Sequence, residues 1–135
     1  MGMFSALDTA VTGVNVHGMW MDAIADNIAN VNTVKPGDEE PFRAEMLELS
    51  SVKGSGNVGA GVVVKQVVRK DGEPEVVFDP TNPLADEQGY VRYPDIDMSS
   101  QMTQLIMAQR GYQANAAVVD RAKETYQAAL QIGRN

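Results

Sequence analysis

The side chains able to do chemistry are few and far apart in this sequence. His17 is the only histidine and cysteine is absent. Thiolate nucleophiles, disulfides and cysteine-based metal sites are therefore excluded, and a zinc site would lack both of its usual ligand types. A lone histidine on a helical stretch reads as a helix-surface or subunit-contact residue. Asp38, Glu39 and Glu40 carry enough charge for a cation, but a calcium loop needs oxygen ligands at alternating positions, so this run reads as a solvated turn. Asp95 and Asp97 could pair as acid and base, yet Asp97 stands where a helix N-cap is wanted. Gly54-Ser55-Gly56 and Gly59-Ala60-Gly61 resemble a glycine-rich loop, without the lysine and strand-to-helix context of a phosphate cradle. No nucleophile elbow or dinucleotide fingerprint occurs. No catalytic, metal-binding or cofactor-binding residue is assigned, and the chain reads as non-enzymatic.

The elements that would have to position such groups point elsewhere. The length of 135 residues suits one compact domain or a helical stalk with a small lobe. Hydrophobic content of 44% is that of a folding chain. A net charge of −7, with scattered Lys and Arg, argues against a nucleic-acid partner. No stretch approaches the roughly 18–20 apolar residues that cross a bilayer, and Met-Gly-Met-Phe-Ser-Ala-Leu-Asp does not read as a cleaved secretion signal.

Both ends of the chain carry apolar residues at three-and-four spacing. In the first, Phe4, Leu7, Val11, Val14, Met21 and Ile28 follow a heptad seam with Gly18 and Ala25 in the remaining slots, while Val16, Met19 and Trp20 lie off it. In the last, Met98, Met102, Leu105, Gln109, Tyr112, Ala116, Val119, Lys123, Tyr126 and Leu130 do the same, with Asp97 as N-cap. Gly13 and Gly18 weaken the first helix by about 1 kcal/mol each relative to Ala. Between the ends, Val62 to Val68 is the clearest strand, Asp71-Gly72 signals a hairpin, and Glu75 to Phe78 is its expected return. Phe42 to Leu49 reads as extended, with a short helix as the alternative, and Asp79 to Pro94 as a Pro- and Gly-punctuated connection. The expected fold is mainly α: residues 1–35 and 95–135 paired as a coiled-coil-like stalk, with 36–94 as a small β-rich lobe facing outward.

Four stretches carry a family resemblance. Asn27, Ala29, Asn30 and Thr33 fit the N-x-A-N-x-x-T signature of the flagellar rod and hook axial family. The longer insertion ending in Pro41-Phe42-Arg43 resembles its proximal-rod members. Pro83, Ala85, Asp86, Gly89 and Tyr90 are similar to a P-x-A-D-x-x-G-Y segment, with Asn82 where the family often has His. Arg110, Tyr112, Ala114 and Asn115 resemble A-x-R-x-Y-E-A-N, with Gln113 in place of the acid.

The resemblance implies a structural subunit of the bacterial flagellar basal body, set in the periplasmic rod that transmits torque from motor to hook. It implies export without a cleaved signal through the flagellar type III apparatus. It also implies homo- and hetero-oligomeric contacts with proximal and distal rod proteins and with the export-gate or basal-ring adaptor at the rod base, with no membrane insertion and no cofactor. Phe4, Leu7, Val11, Val14, Met21, Ile28, Met102, Leu105, Gln109, Tyr112, Asn115, Val119, Tyr126 and Leu130 are the expected helix- and subunit-packing residues. The alternatives are another rod subunit of the same family, or a small acidic helical adaptor for one soluble partner.

Overall fold

The computed structural model describes residues 2–56 and 59–134. Helix α1 spans Met3–Asn30, β1 Lys35–Pro36, β2 Glu45–Lys53, β3 Gly59–Arg69, β4 Glu75–Phe78, β5 Tyr90–Tyr93 and α2 Met98–Gly133. At about 1.5 Å per residue the helices are roughly 42 and 54 Å long. Asp97 caps α2, its carboxylate accepting from Ser99 N at 3.0 Å. The end of α1 is set by Asn30, whose side-chain amide donates to the Asp26 carbonyl at 2.9 Å. Thr33 closes the turn, its backbone N–H donating to the Asn30 carbonyl at 3.0 Å.

The two helices run antiparallel. Phe4 meets Tyr126, Gly13 faces Asn115, His17 faces Gly111 and Asn27 meets Gln101. Each advance along α1 is thus a retreat along α2. Small residues set the approach. A Cβ at Gly13 would collide with the Asn115 carboxamide, and one at Gly111 with the His17 ring. Gly13, read from sequence as a helix weakness, and Gly111 are what let the helices close.

The middle of the chain is not a minor appendage, and the mainly-α coiled-coil stalk is corrected to a mixed α/β fold with 48% helix and 23% strand in two antiparallel sheets. The reason is β2. The sequence continues Leu49-Ser50-Ser51-Val52-Lys53 in extended form, giving a nine-residue partner for the eleven-residue, valine-rich β3. This hairpin packs against α1. There Thr12 accepts a hydrogen bond from Val62 N at 3.1 Å, beside Gly61 at φ +123°.

Two further expectations are corrected. Asp71-Gly72 does not turn β3 back into β4: β3 pairs with β2, while β4 pairs with β5, which also pairs with β1. Gly72 lacks the positive φ that a two-residue hairpin turn requires. Instead Lys70 N donates to the Ala44 carbonyl at 2.8 Å, extending the β2–β3 ladder, and its ammonium pairs with Asp95. Tyr90–Tyr93 is likewise a strand rather than the tail of a connection. It is the central strand of the β1-β5-β4 sheet, and Val91 is fully buried there.

Candidate assembly interface

Buried apolar side chains are few and mostly small: Ala10, Val16, Ala23 and Ile24 on α1, Ala44 before β2, Val91 on β5 and Ala108 on α2. Large apolar side chains are instead exposed. On α2, Met98, Met102 and Ile106 form one line at intervals of four, and Met107, Val118 and Ile132 form a second. Neither line is the α1-facing stripe that holds Gln101, Leu105, Ala108 and Asn115. Helix α2 is therefore apolar on more faces than α1 covers.

The packing residues expected from sequence divide accordingly. Phe4, Val11, Met102, Tyr112, Tyr126 and Leu130 are exposed. Leu7, Val14, Met21, Ile28, Leu105, Asn115 and Val119 are half-buried, and Gln109 is exposed. The fully buried stripe of α1, Ala10-Gly13-Val16-Ala23-Ile24-Asn27, lies beside the heptad seam rather than on it. Phe4 and Tyr126 are brought together edge to face, with ring centroids 5.6 Å apart, and Tyr112 covers Gly18. His17 is half-buried between Gly111 and Trp20 and donates from Nδ1 to the Gly13 carbonyl at 2.7 Å.

One polar residue joins three elements. Asn27 is 2% exposed. Its amide donates to the Glu45 carbonyl at 2.9 Å and to Gln101 Oε1 at 3.0 Å, and its oxygen accepts from Glu45 N at 2.7 Å. The start of β2 is thereby clamped to α1, and α1 to the first turns of α2. Gln101, its partner, was not singled out from sequence. Glutamine at a first helical turn gives no signal until the helices are paired.

A second network builds the β4–β5 connection. Asp86 accepts from Gln88 N at 2.9 Å and Tyr90 N at 2.8 Å, while Gly89 turns at φ +83°. Asn82 accepts from Leu84 N at 3.0 Å, and the Phe78 and Tyr90 rings meet edge to face at 5.2 Å. Pro41 is buried, Phe42 half-buried, and Arg43 reaches Glu40 at 2.9 Å and Asp71 at 3.4 Å. On the β2–β3 hairpin, a bulge after Glu48 brings Lys65 and Gln66 onto its carboxylate, each at 2.6 Å. The Lys65 bond first, then that of Gln66, holds the Glu48 carboxyl below the ordinary range.

Among the described residues no three acidic or histidine side chains cluster as a metal site, and no helix is long and apolar enough to cross a membrane. Asp95 pairs with Lys70 at 3.0 Å, Glu39 with Lys35 at 3.5 Å, and Asp97 serves as the cap.

The family model for the flagellar basal body rod FlgEFG protein C-terminal region matches residues 87–132, which take in β5 and nearly all of α2. The flagellar basal-body rod protein FlgC of Bacillus subtilis is 31% identical over 150 aligned residues, covering 99% of this chain and all of its own. The chain belongs to the FlgC family of flagellar basal-body rod proteins. FlgC of Yersinia enterocolitica is 32% identical over 134 residues, covering 99% of this chain and all of its own, and that of Aquifex aeolicus 30% over 131, covering 97% of each. It is a structural subunit of the flagellar basal-body rod; its relatives are rod proteins rather than enzymes. Within this FlgC-family chain some of the signature residues act inside the subunit and others stand on its surface. Asn27, Asn30, Thr33, Asp86, Gly89 and Asn115 bond or turn the chain internally. Ala29, Pro83, Arg110 and Ala114 are exposed.

Proposed function

We propose that the chain is an axial subunit of the proximal rod, held in place by coiled-coil-like packing of its outer helix faces against neighbouring subunits. Residues 1–35 and 95–135 form the axial part and 36–94 face outward. The rod stands in the periplasm, and the chain reaches it through the flagellar type III apparatus. Its neighbours are further copies, other proximal and distal rod proteins, and an export-gate or basal-ring adaptor at the rod base. Torque passes from motor to hook through these contacts.

The observation that carries the reading is the pair of exposed apolar lines on α2, Met98-Met102-Ile106 and Met107-Val118-Ile132. A monomeric soluble chain has no use for them. Covering a large aliphatic side chain contributes roughly 1.5–3 kcal/mol, and a ring of neighbours multiplies that along each helix. The exposed signature residues Ala29, Arg110 and Ala114, whose side chains make no hydrogen bond or ion pair among the described residues, belong to the same contacts.

Met102→Asp with Ile106→Asp tests the proposal. Both side chains are about half exposed, 49% and 52%, so the isolated chain keeps its fold, with two aspartates four positions apart on the helix lowering its midpoint modestly. Motility and incorporation into purified hook–basal bodies are expected to be lost. Normal rods containing the doubly charged variant would overturn the packing scheme.

A further inference from the structure

We propose that the groove crossing Glu45, Met46 and Gln104 is a socket for the end of an axial helix of the adjoining rod subunit, one carrying aliphatic side chains followed within a turn by Lys or Arg. This rests on the rod-subunit reading above. Two clefts meet there. One, of about 250 Å³, is walled by Val16, Trp20, Met46, Leu47 and Leu49. The other, of about 230 Å³, holds Glu45, Asp95 and Asp97 with Lys70. Glu45, Met46 and Gln104 line both.

The charges decide the occupant. Lys70 is already committed to Asp95 at 3.0 Å, and Asp97 to the cap of α2. The Glu45 carboxylate forms no ion pair among the described residues. Three carboxylates against one ammonium leave this end of the groove negative, while the other end is apolar. An occupant that suits both is amphipathic, with an aliphatic body and a cationic end. The groove is also preformed, because Asn27 holds Glu45 by both its N–H and its carbonyl. A fixed wall lowers the ordering cost of binding.

This chain displays the complementary chemistry itself. At the end of α2, Leu130 is 51% exposed, Ile132 77% exposed, and Arg134 follows without an ion pair among the described residues. That end cannot fill the groove of its own molecule. Gln104 and Leu130 lie on one helix, 26 positions apart, or about 39 Å at 1.5 Å per residue. The helix end in the socket therefore comes from another molecule. A socket and a tip at different levels of one subunit make a head-to-tail contact, which extends an array rather than closing a dimer.

The test uses the full chain in the cell. Met46 is replaced by the photocrosslinking residue p-benzoylphenylalanine, with Leu49 as a second site, and irradiated hook–basal bodies are analysed by peptide mass spectrometry. The expected adduct is a helix-end peptide of a rod subunit with two aliphatic residues and a Lys or Arg within one turn. Adding Glu45→Lys is expected to lower its yield about fivefold, the scale of one exposed charge pair. An adduct with a polar or acidic segment, no intersubunit adduct from chains present in the particles, or indifference to Glu45→Lys overturns the socket. Absence of the unsubstituted chain from the particles overturns the rod reading, and the socket with it.

Discussion

Replacing Asn27 by Ala should unfasten the fold at the buried polar junction that this residue makes. The side chain is 2% exposed and makes three hydrogen bonds, two to the Glu45 backbone and one to Gln101. The truncation strands the Glu45 N–H, the Glu45 carbonyl and Gln101 Oε1 together. A buried polar group left without its partner costs about 1–3 kcal/mol. Glu45 is only half-buried, so water recovers part of that, and the net loss is set at about 3 kcal/mol. With a urea dependence near 1.5 kcal/mol per molar for a domain of this size, the unfolding midpoint falls by about 2 M. Gln101→Leu should cost less, about 1 kcal/mol, because the Asn27 amide keeps its Glu45 carbonyl. Asn27→Asp should be at least as damaging as Ala at neutral pH, since it replaces the donating amide with a carboxylate oxygen that faces two acceptors, the Glu45 carbonyl and Gln101 Oε1. Far-UV circular dichroism of the full chain in urea reads all three. A midpoint for Asn27→Ala within about 0.5 kcal/mol of the parent, the range of an ordinary surface change, would show that the junction does not hold the elements together.

Three glycine substitutions should separate by sign. Gly18→Ala meets only Tyr112 Cε2 at 3.8 Å, so helix propensity dominates and stability rises by up to about 1 kcal/mol. Gly13→Ala and Gly111→Ala drive a methyl into Asn115 and His17, each tied by its own hydrogen bond, and should lower stability by about 1–2 kcal/mol despite the propensity gain; equal gains at all three positions would contradict the close approach. Gly89→Ala forces φ +83° on an L-residue beside Phe78 and Pro80 and should cost about 1–2 kcal/mol, read as a fall in melting temperature. Glu48→Gln tests the hairpin pair. The folded-state pKa of Glu48 is depressed, so its contribution is present above the unfolded value near 4.3 and is lost as pH falls through the folded one. The parent should melt above the variant at pH 7, with the gap closing as pH falls below the ordinary carboxylate range and shrinking in added salt; a gap independent of pH would refute the assignment.

The helices were legible because their apolar spacing and caps are local. Asp97 carries the N-cap in its own identity, and Asn30 with Thr33 marks the end of α1 without reference to anything distant. What periodicity could not give was which face of each helix turns inward. The heptad seam through Phe4 and Val11 follows the larger side chains, whereas the buried stripe follows Ala10, Gly13, Val16 and Ala23. Size misled because the largest side chains are not used inside this subunit. Two glycines held the better signal: Gly13 on one helix and Gly111 on the other mark where the helices approach closely, whereas Gly18 does not. Strand pairing failed for a related reason. Asp71-Gly72 is a local hairpin cue, while the partner of β3 begins fourteen residues before it, and only the Asn27–Glu45 clamp and the Lys70–Ala44 bond decide between them. The acidic half of the groove was only half legible: Asp95 and Asp97 are near neighbours in the sequence, but Glu45 joins them only in three dimensions.

The distribution of apolar surface links folding to assembly. Among the described residues, four of the seven buried apolar side chains are alanines, and each alanine withdraws only about one methyl group from water. The aliphatic and aromatic side chains that would normally supply a core, such as Phe4, Ile106, Met107, Leu130 and Ile132, lie outside. Polar fastening at Asn27 and close helix approach at Gly13 and Gly111 give the subunit a definite shape, but they contribute little burial. The free energy that burial would supply is still present on the surface, to be released when neighbours cover it. Substitutions at the inner fasteners should therefore change the melting of the isolated chain. Those on the outer lines should leave it nearly untouched and act on incorporation. A variant of Ile106 that lowered monomer stability as strongly as Asn27→Ala would break that separation.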